Sequence, residues 1–471
     1  MRLDLPGYAP DQSINSGVLK VAENVYRAVD GYRPVRDFLA GSDALPDTFN
    51  GGAAFISTGG TSYLLAGTAS TLSRYSAGGW VDLLDTLTVS QRWKFTQFGD
   101  YVVCVNGGDT QEVDLLAGTA GDLTGAPKGT SVTVVGDQVV IGQADGDISL
   151  VQWSAFNDHT GWTPGVDQSG FQPMLTGGEV MGLAGGEFGI ILQRQRLVRM
   201  SRTGDASAPF AFDEITPNVG CASKGSVAQA GRSVFFLSDR GFMACEDGQV
   251  PVPIGNEKVD RDFQAQVPRD EWERIYSGVD PRNTLVWWML PGIPGKIWIY
   301  NWTLAGLDSA WTMATFNCEG LFSGFTSSID TDNAGITNTD ADPALTVDDP
   351  RYSGGAPRLF IVQSKMIGTM EGLPLRGRIE TGFYEFTKDR VARLRAVRPV
   401  GDMTQAECVL DCRQRLGDPE KLRTASAMRD SGSMPVRATG KYVATKLTIP
   451  AGTQWNYIRA IEFDAEAGGL R

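Results

Sequence analysis

The chain has 471 residues, 42% apolar and 21% charged, with a formal net charge of −13. That apolar share supports a real core and excludes wholesale disorder. The acidic balance excludes wrapping of nucleic acid by charge neutralisation, which needs clustered Lys and Arg, though it leaves room for a surface past which DNA slides.

The N-terminal MRLDLPGYAP has no apolar run of the kind a secretory signal carries, so none is expected. The longest apolar runs, such as Phe188 to Leu192, are too short to cross a bilayer. The expectation is a soluble chain made in a cytosol. Residues Val25–Phe38 (VYRAVDGYRPVRDF) then read as strand-like without belonging to any repeat.

From about residue 45 one pattern recurs every few tens of residues: apolar, strand-like runs that meet at Gly, Asp or Asn. Ala53–Ser57 and Ser62–Ala66 flank STGGTS; Arg92–Phe98 and Tyr101–Val105 flank Gly99-Asp100; Val132–Val135 and Gln138–Ile141 flank Gly136-Asp137. Gly185-Gly186, Gly231-Arg232 and Asp280-Pro281-Arg282-Asn283 hold the corresponding turns of three further units. Gly and Asn accept the positive φ of hairpin turns, and Asp bonds its own backbone. Val, Ile, Phe, Tyr and Trp suit the pleated surface between. Each unit offers about four strands. The best helical candidate is Arg269–Tyr276, two turns at most.

A seventh unit is incomplete: Gly320–Thr326, Arg358–Gln363 and Met366–Met370 supply three strands. Val25–Phe38 is expected to supply the fourth and close a ring. Radial repetition of four-stranded sheets is a β-propeller. The fold class is therefore all-β, a propeller of seven blades over residues 45–372, or six if the incomplete unit lies outside the ring. Residues 1–44 form an N-terminal extension that carries the closing strand.

Within the seventh unit, the stretch 327–357 carries Asp330, Asp332, Asp340, Asp342, Asp348 and Asp349 with no Lys or Arg between them. It opens like a calcium loop, but Ala334 sits at a ligand position and Ala341 replaces the bidentate acid. A solvated or partner-facing loop and a weak cation site both remain open.

From about Leu373 the repeat stops, and the strand-like runs Arg378–Phe386, Val391–Val400, Glu407–Arg413, Pro435–Ala438, Tyr442–Ile449 and Trp455–Phe463, the first two alternating with period two, predict a β-sandwich-like domain of five or six strands over 373–471. Its first part holds Arg376, Arg378, Lys388, Arg390, Arg393, Arg395 and Arg398 against Glu380, Glu385 and Asp389. Arg393 and Arg395, two apart, share a strand face. Arg390, Arg393, Arg395 and Arg398 are the candidate interface: a docking stripe for an acidic neighbour, or a solvated strand face.

Little points to catalysis. The single His159 sits in Asn157-Asp158-His159-Thr160-Gly161-Trp162, a polar turn where a solvated ring is expected. Cys104, Cys221, Cys245, Cys318, Cys408 and Cys412 include no C-x-x-C pair, so buried or half-buried free thiols are expected and a zinc site is not. No repeated acidic box of the sialidase type and no Gly-His to Trp-Asp spacing of the WD type occurs. The expectation is no enzyme, no cofactor and no metal.

Read end to end, the chain resembles the tail hub or nozzle proteins of short-tailed bacteriophages, including the packaged-DNA stabilisation proteins. The resemblance lies in APDQSINSGVLKVAENVYRAVDGYRPV, in GVDPRNTLVWWMLP followed by KIWIYNW, in TGFYEFTKDRVARLRAVRPV and in TIPAGTQWNYIRAIEFDAEA. It implies a structural virion protein assembled in the host cytoplasm as a ring, expected to be a homo-hexamer, below the portal and head–tail adaptor. Its neighbours would be tail proteins such as fibres or a needle. It would seal packaged DNA and conduct it at ejection without sequence-specific binding. A propeller glycosidase and a generic protein-interaction propeller are the competing readings.

Overall fold

Seven four-stranded antiparallel units follow one another in the computed structural model, which describes residues 1–76, 79–306, 309–325, 357–386 and 390–467. The first six cover 51–84, 94–122, 131–173, 180–216, 228–253 and 276–318. Their turns follow the local chemistry. Between Ser131–Val135 and Gln138–Gly142, Gly136 and Asp137 take φ of 49° and 64°, the pair of positive angles that a two-residue hairpin turn requires.

The seventh unit joins Gly320–Phe325, Pro357–Gln363 and Met366–Thr369 to a short fourth strand, Leu39–Ala40. Gly324 pairs in parallel with Ala54 of the first unit, so the last blade meets the first. Gly185 and Gln229 exchange hydrogen bonds of 3.2 and 2.6 Å between the fourth and fifth units. The first strands of most successive units lie beside one another. Seven blades are present, not six.

The N-terminal extension closes the ring as expected, but through a different segment. The strand that pairs with the seventh blade is Leu39–Ala40, just beyond Val25–Phe38. Within that stretch, Val25–Ala28 and Gly31–Pro34 form a hairpin that joins the C-terminal domain through Tyr32 and Ile458.

The C-terminal domain is two facing sheets. One contains Ala392–Gly401, Met434–Gly440 and Ile458–Ala467, with the N-terminal hairpin and Arg2–Asp4 on Ile458–Ala467. The other contains Gly377–Thr381, Glu407–Arg413, Leu422–Thr424 and Tyr442–Ile449, with Leu19–Glu23 at its edge and Tyr384–Glu385 beside it. Five or six strands were expected from 373–471; the described residues there form eight, the extra ones being short pieces such as Tyr384–Glu385 and Leu422–Thr424, and the N-terminal residues add four more. Leu394, Val397, Met434 and Phe463 of one sheet meet Ile379, Leu410, Val443 and Leu447 of the other. The first and last described strands thus lie in one layer, where the N-terminal ammonium donates to the Phe463 carbonyl at 2.7 Å.

Leu19–Glu23 also ties the sandwich to the propeller, because Glu23 pairs in parallel with Met313 of the sixth blade. Asn24 clamps the seam: its Oδ1 accepts from Thr315 N at 2.8 Å and its Nδ2 donates to the Arg376 carbonyl at 3.0 Å. A continuous core runs across it, from Phe242, Phe263, Trp288, Trp298 and Trp311 in the propeller through Tyr8 and Leu19 into the sandwich.

The helix expected at Arg269–Tyr276 is a 3-10 segment, Arg269–Arg274, and the α-helix lies earlier, at Asp260–Gln266. The reason is a remote cap. Asp11 accepts from Arg261 N and Asp262 N at 2.9 and 2.8 Å, satisfying first-turn donors that no neighbouring side chain serves.

Asp260 opens that helix almost fully buried and accepts from Phe242 N at 3.0 Å. Burial, helped by the charge of Asp11, pushes its carboxyl up to about 6. Because the folded value lies above the unfolded one, this contribution is fully present below about pH 4 and is lost as pH rises through about 6. Asp260→Asn should therefore gain on the parent as pH rises, by on the order of 1–3 kcal/mol at pH 8. Melting curves of both proteins from pH 4 to 8 test this, and a gap that stays constant across the range would refute it.

Candidate functional site

The arginine strand is Ala392–Gly401, whose alternation buries Leu394 and Val397 and exposes Arg393, Arg395 and Arg398. A register shift between Leu394 and Ala396 restores the phase, so all three reach the outer face although 395 and 398 are an odd number apart. The adjacent strand Ile458–Ala467 answers two of them. Arg395 meets Glu466 at 2.6 Å, and Arg398 Nε meets Glu462 at 3.0 Å. Both pairs are solvent-exposed and contribute little to stability. Arg393 forms no ion pair among the described residues. Arg390 is exposed at the strand's approach. The local excess of positive charge is thus largely balanced by a strand that lies about 70 residues further along, a neighbour that no window around 390–398 contains.

His159 departs from expectation. It is 7% exposed, not solvated. Its Nε2 lies 3.0 Å from Glu112 Oε2 and its ring stacks on Tyr101 with centroids 4.4 Å apart. The turn folds back so that Trp162 Nε1 donates to its carbonyl at 2.7 Å. The ring therefore joins the second and third blades.

All six cysteines are free and buried. Cys408 and Cys412 face the sandwich core on one side of their strand, where burial pushes the Cys408 thiol up to about 12. The acidic residues Asp330 to Asp349, with Ala334 and Ala341, lie outside the described residues. Among the described residues no group of three His, Cys, Asp or Glu is placed to hold a metal ion. No helix among them is long and apolar enough to cross a membrane.

Two concavities bear on function. A cleft of about 730 Å³ opens where the N-terminal hairpin, the sixth and seventh blades and the sandwich meet. Its acids are already engaged. Glu371 binds Arg358 at 2.7 Å and Arg282 at 3.3 Å, Asp30 binds Arg459 at 2.6 Å, and Asp280 Oδ2 accepts from Asn283 at 2.7 Å.

The second, about 210 Å³, lies inside the ring, between the first strands of the first, second, sixth and seventh blades and Gly225. Arg92 and Lys94 enter it. Neither is part of the arginine stripe, and sequence reading did not single them out. The available signal was two cations, two apart, in the aromatic run Arg92-Trp93-Lys94-Phe95 at the start of a repeat.

The fold is a β-propeller. Solved structures similar to it include BamB from Moraxella catarrhalis, at 12% identity over 73% of this chain and 94% of that one, with a TM-score of 0.37. The WD40 repeats of RRP9 are similar at 8% identity over 61% and 89%, with a TM-score of 0.37. Virginiamycin B lyase from Staphylococcus aureus is similar at 12% identity over 62% and 94%, with a TM-score of 0.40. No protein-family model and no curated protein matches the sequence.

Proposed function

We propose that the chain is a non-catalytic structural protein, a tail hub or nozzle subunit of a short-tailed phage virion that assembles into a ring, taken to be a hexamer. On this reading the ring sits below the portal and adaptor, beside the other tail proteins, and lets packaged DNA pass without gripping it. The observation that carries the structural half is the interleaving of the two chain ends. Arg2–Asp4 pairs with the last strand, Ile458–Ala467, while Leu39–Ala40 closes the propeller. A unit sealed in this way resists peeling from either end, which suits a load-bearing part. The virion half rests on the sequence resemblance.

The glycosidase alternative needs two carboxylates free to act across a cleft. In the junction cleft, Glu371 and Asp30 are held by arginines and Asp280 by an amide, which favours a scaffold. The coarser reading, a propeller that binds proteins, does not need a virion. Mass photometry and negative-stain imaging of the purified chain, alone and mixed with portal and adaptor proteins, test the ring. A chain that stays monomeric in every mixture, or that turns over a reporter glycoside, refutes the proposal.

Arg393 is the member of the stripe best placed to dock, because Arg395 and Arg398 already have acidic partners. A contact that desolvates it would use complementarity to orient the neighbour. Replacing Arg393 and Arg395 with Glu should leave the melting temperature within a few degrees of the parent and weaken ring assembly, more so at low salt. If the double variant assembles like the parent, the strand is a solvated face.

A further inference from the structure

We infer that the cavity between the first strands of the first, second, sixth and seventh blades is a binding site for a small oxyanion of phosphate size, with Arg92 and Lys94 as its charged walls. The cavity of about 210 Å³ offers roughly seven water volumes, enough for such an ion and part of its hydration shell.

Arg92 has a visible structural task. It reaches from the second blade to the sixth, where its Nη1 donates to the Ile275 carbonyl at 2.5 Å and its guanidinium carbon lies 3.7 Å from the Tyr276 ring centroid. The approach to the fifth blade closes over it at Gly225, where a Cβ would stand 1.9 Å from the Ile275 carbonyl oxygen and 2.6 Å from Arg92 Nη1. This strut still brings a full positive charge to the cavity, and no carboxylate lies within ion-pair distance among the described residues.

Lys94 has no such task. It is half-buried and lines the same cavity, and its side chain makes no hydrogen bond or ion pair among the described residues. An ammonium enclosed without a counter-charge is costly, and a Met would hold the strand as well. Phe55, Phe95 and Phe322 line the cavity too, so charges inside attract more strongly than they would in bulk water. Two cations, a lining of aromatic rings, small polar side chains and no acid make a site whose missing partner is an anion.

The electrostatics agree. Burial lowers the Lys94 amine to about 8, with Arg92 pushing in the same direction and the Cys221 thiol opposing. Burial lowers the Arg92 guanidinium, with Tyr276 and Glu273 opposing and Arg274 adding to it. The amine is mostly charged at pH 7 and loses its proton as pH rises through about 8, so anion affinity should fall over that range, and binding at pH 8.5 should take up protons.

The test is calorimetric titration of the full chain with inorganic phosphate and, separately, with a small phosphomonoester, each against sodium chloride of equal ionic strength. Saturable binding of either is expected. Tight binding of the ester alone would point to an organic phosphate, and equal binding to the free ion. Lys94→Gln and Lys94→Met should weaken binding roughly 10- to 100-fold, the loss of one charge-assisted hydrogen bond. Neither should melt below the parent when anion is absent, since an unpaired charge is removed. The inference is overturned if the parent shows no saturable binding up to about 10 mM, or if the Lys94 variants bind as the parent does. It is overturned equally if affinity is flat from pH 7 to 9.

Discussion

Removing residues 1–40 is expected to cost the chain its cooperative native state, the largest effect of any change considered. The segment is not a tail. Tyr8, Leu19, Ala22, Val25 and Tyr32 are all buried, and Tyr32 donates from its hydroxyl to the Pro6 carbonyl at 2.6 Å. Burial of each large side chain is worth about 1.5–3 kcal/mol. Four of them approach the whole net stability of a typical domain, about 5–15 kcal/mol. The deletion also opens both sandwich sheets, strips Leu39–Ala40 from the seventh blade and takes away the Asp11 cap of the helix. Far-ultraviolet circular dichroism on heating should show a broad transition or a melting temperature lowered by well over 10 °C, since about 1 kcal/mol moves a domain of about 150–250 residues by about 2–4 °C. A sharp melt at the parent's temperature would mean that the propeller closes without this segment.

Trp288→Ala should destabilise by about 3–5 kcal/mol. Trp288 is fully buried at the centre of the aromatic cluster, with ring centroids 4.7 Å from Phe242 and 5.6 Å from Trp311. Its Nε1 donates to the Ser226 carbonyl at 2.9 Å, so truncation leaves both a cavity and an unpaired acceptor. The cluster continues into the sandwich, and the loss should lower the urea midpoint of both regions together. Val252→Ala is a suitable control, because Val252 is half exposed on an outer strand and such changes stay within about 0.5 kcal/mol. A Trp288→Ala loss below about 1 kcal/mol would show that the cluster tolerates a hole.

Much of the architecture is readable in the chain because it is locally encoded. Turns at Gly99-Asp100 and Gly136-Asp137 need backbone angles those residues supply, and alternation in Ala392–Gly401 matches a half-buried strand. Some strands escape the same reading. Thr119–Asp122 and Gly170–Pro173 complete the second and third blades with sequences too polar or too rich in Gly and Pro to signal a strand. They form because they are outer strands, held by one neighbour and facing solvent.

By itself the sequence determined the repeat, the turn positions and the alternating sheets of the C-terminal region, since turn angles and period-two burial depend on residues within a few positions of one another. Tertiary structure decided the rest. Only in the fold does Leu39–Ala40 meet Met366–Thr369, does Asp11 reach the helix some 250 residues away, or does the His159 turn close against Glu112. The candidate sites belong to the same class. Arg395 and Arg398 lose their apparent surplus of charge to a strand near the C-terminus. Lys94 becomes a cation without a partner because first strands of blades far apart in the chain enclose it. Whether a charge is satisfied depends on what the whole chain brings beside it, and pairing between distant strands leaves no mark in the residues around either one.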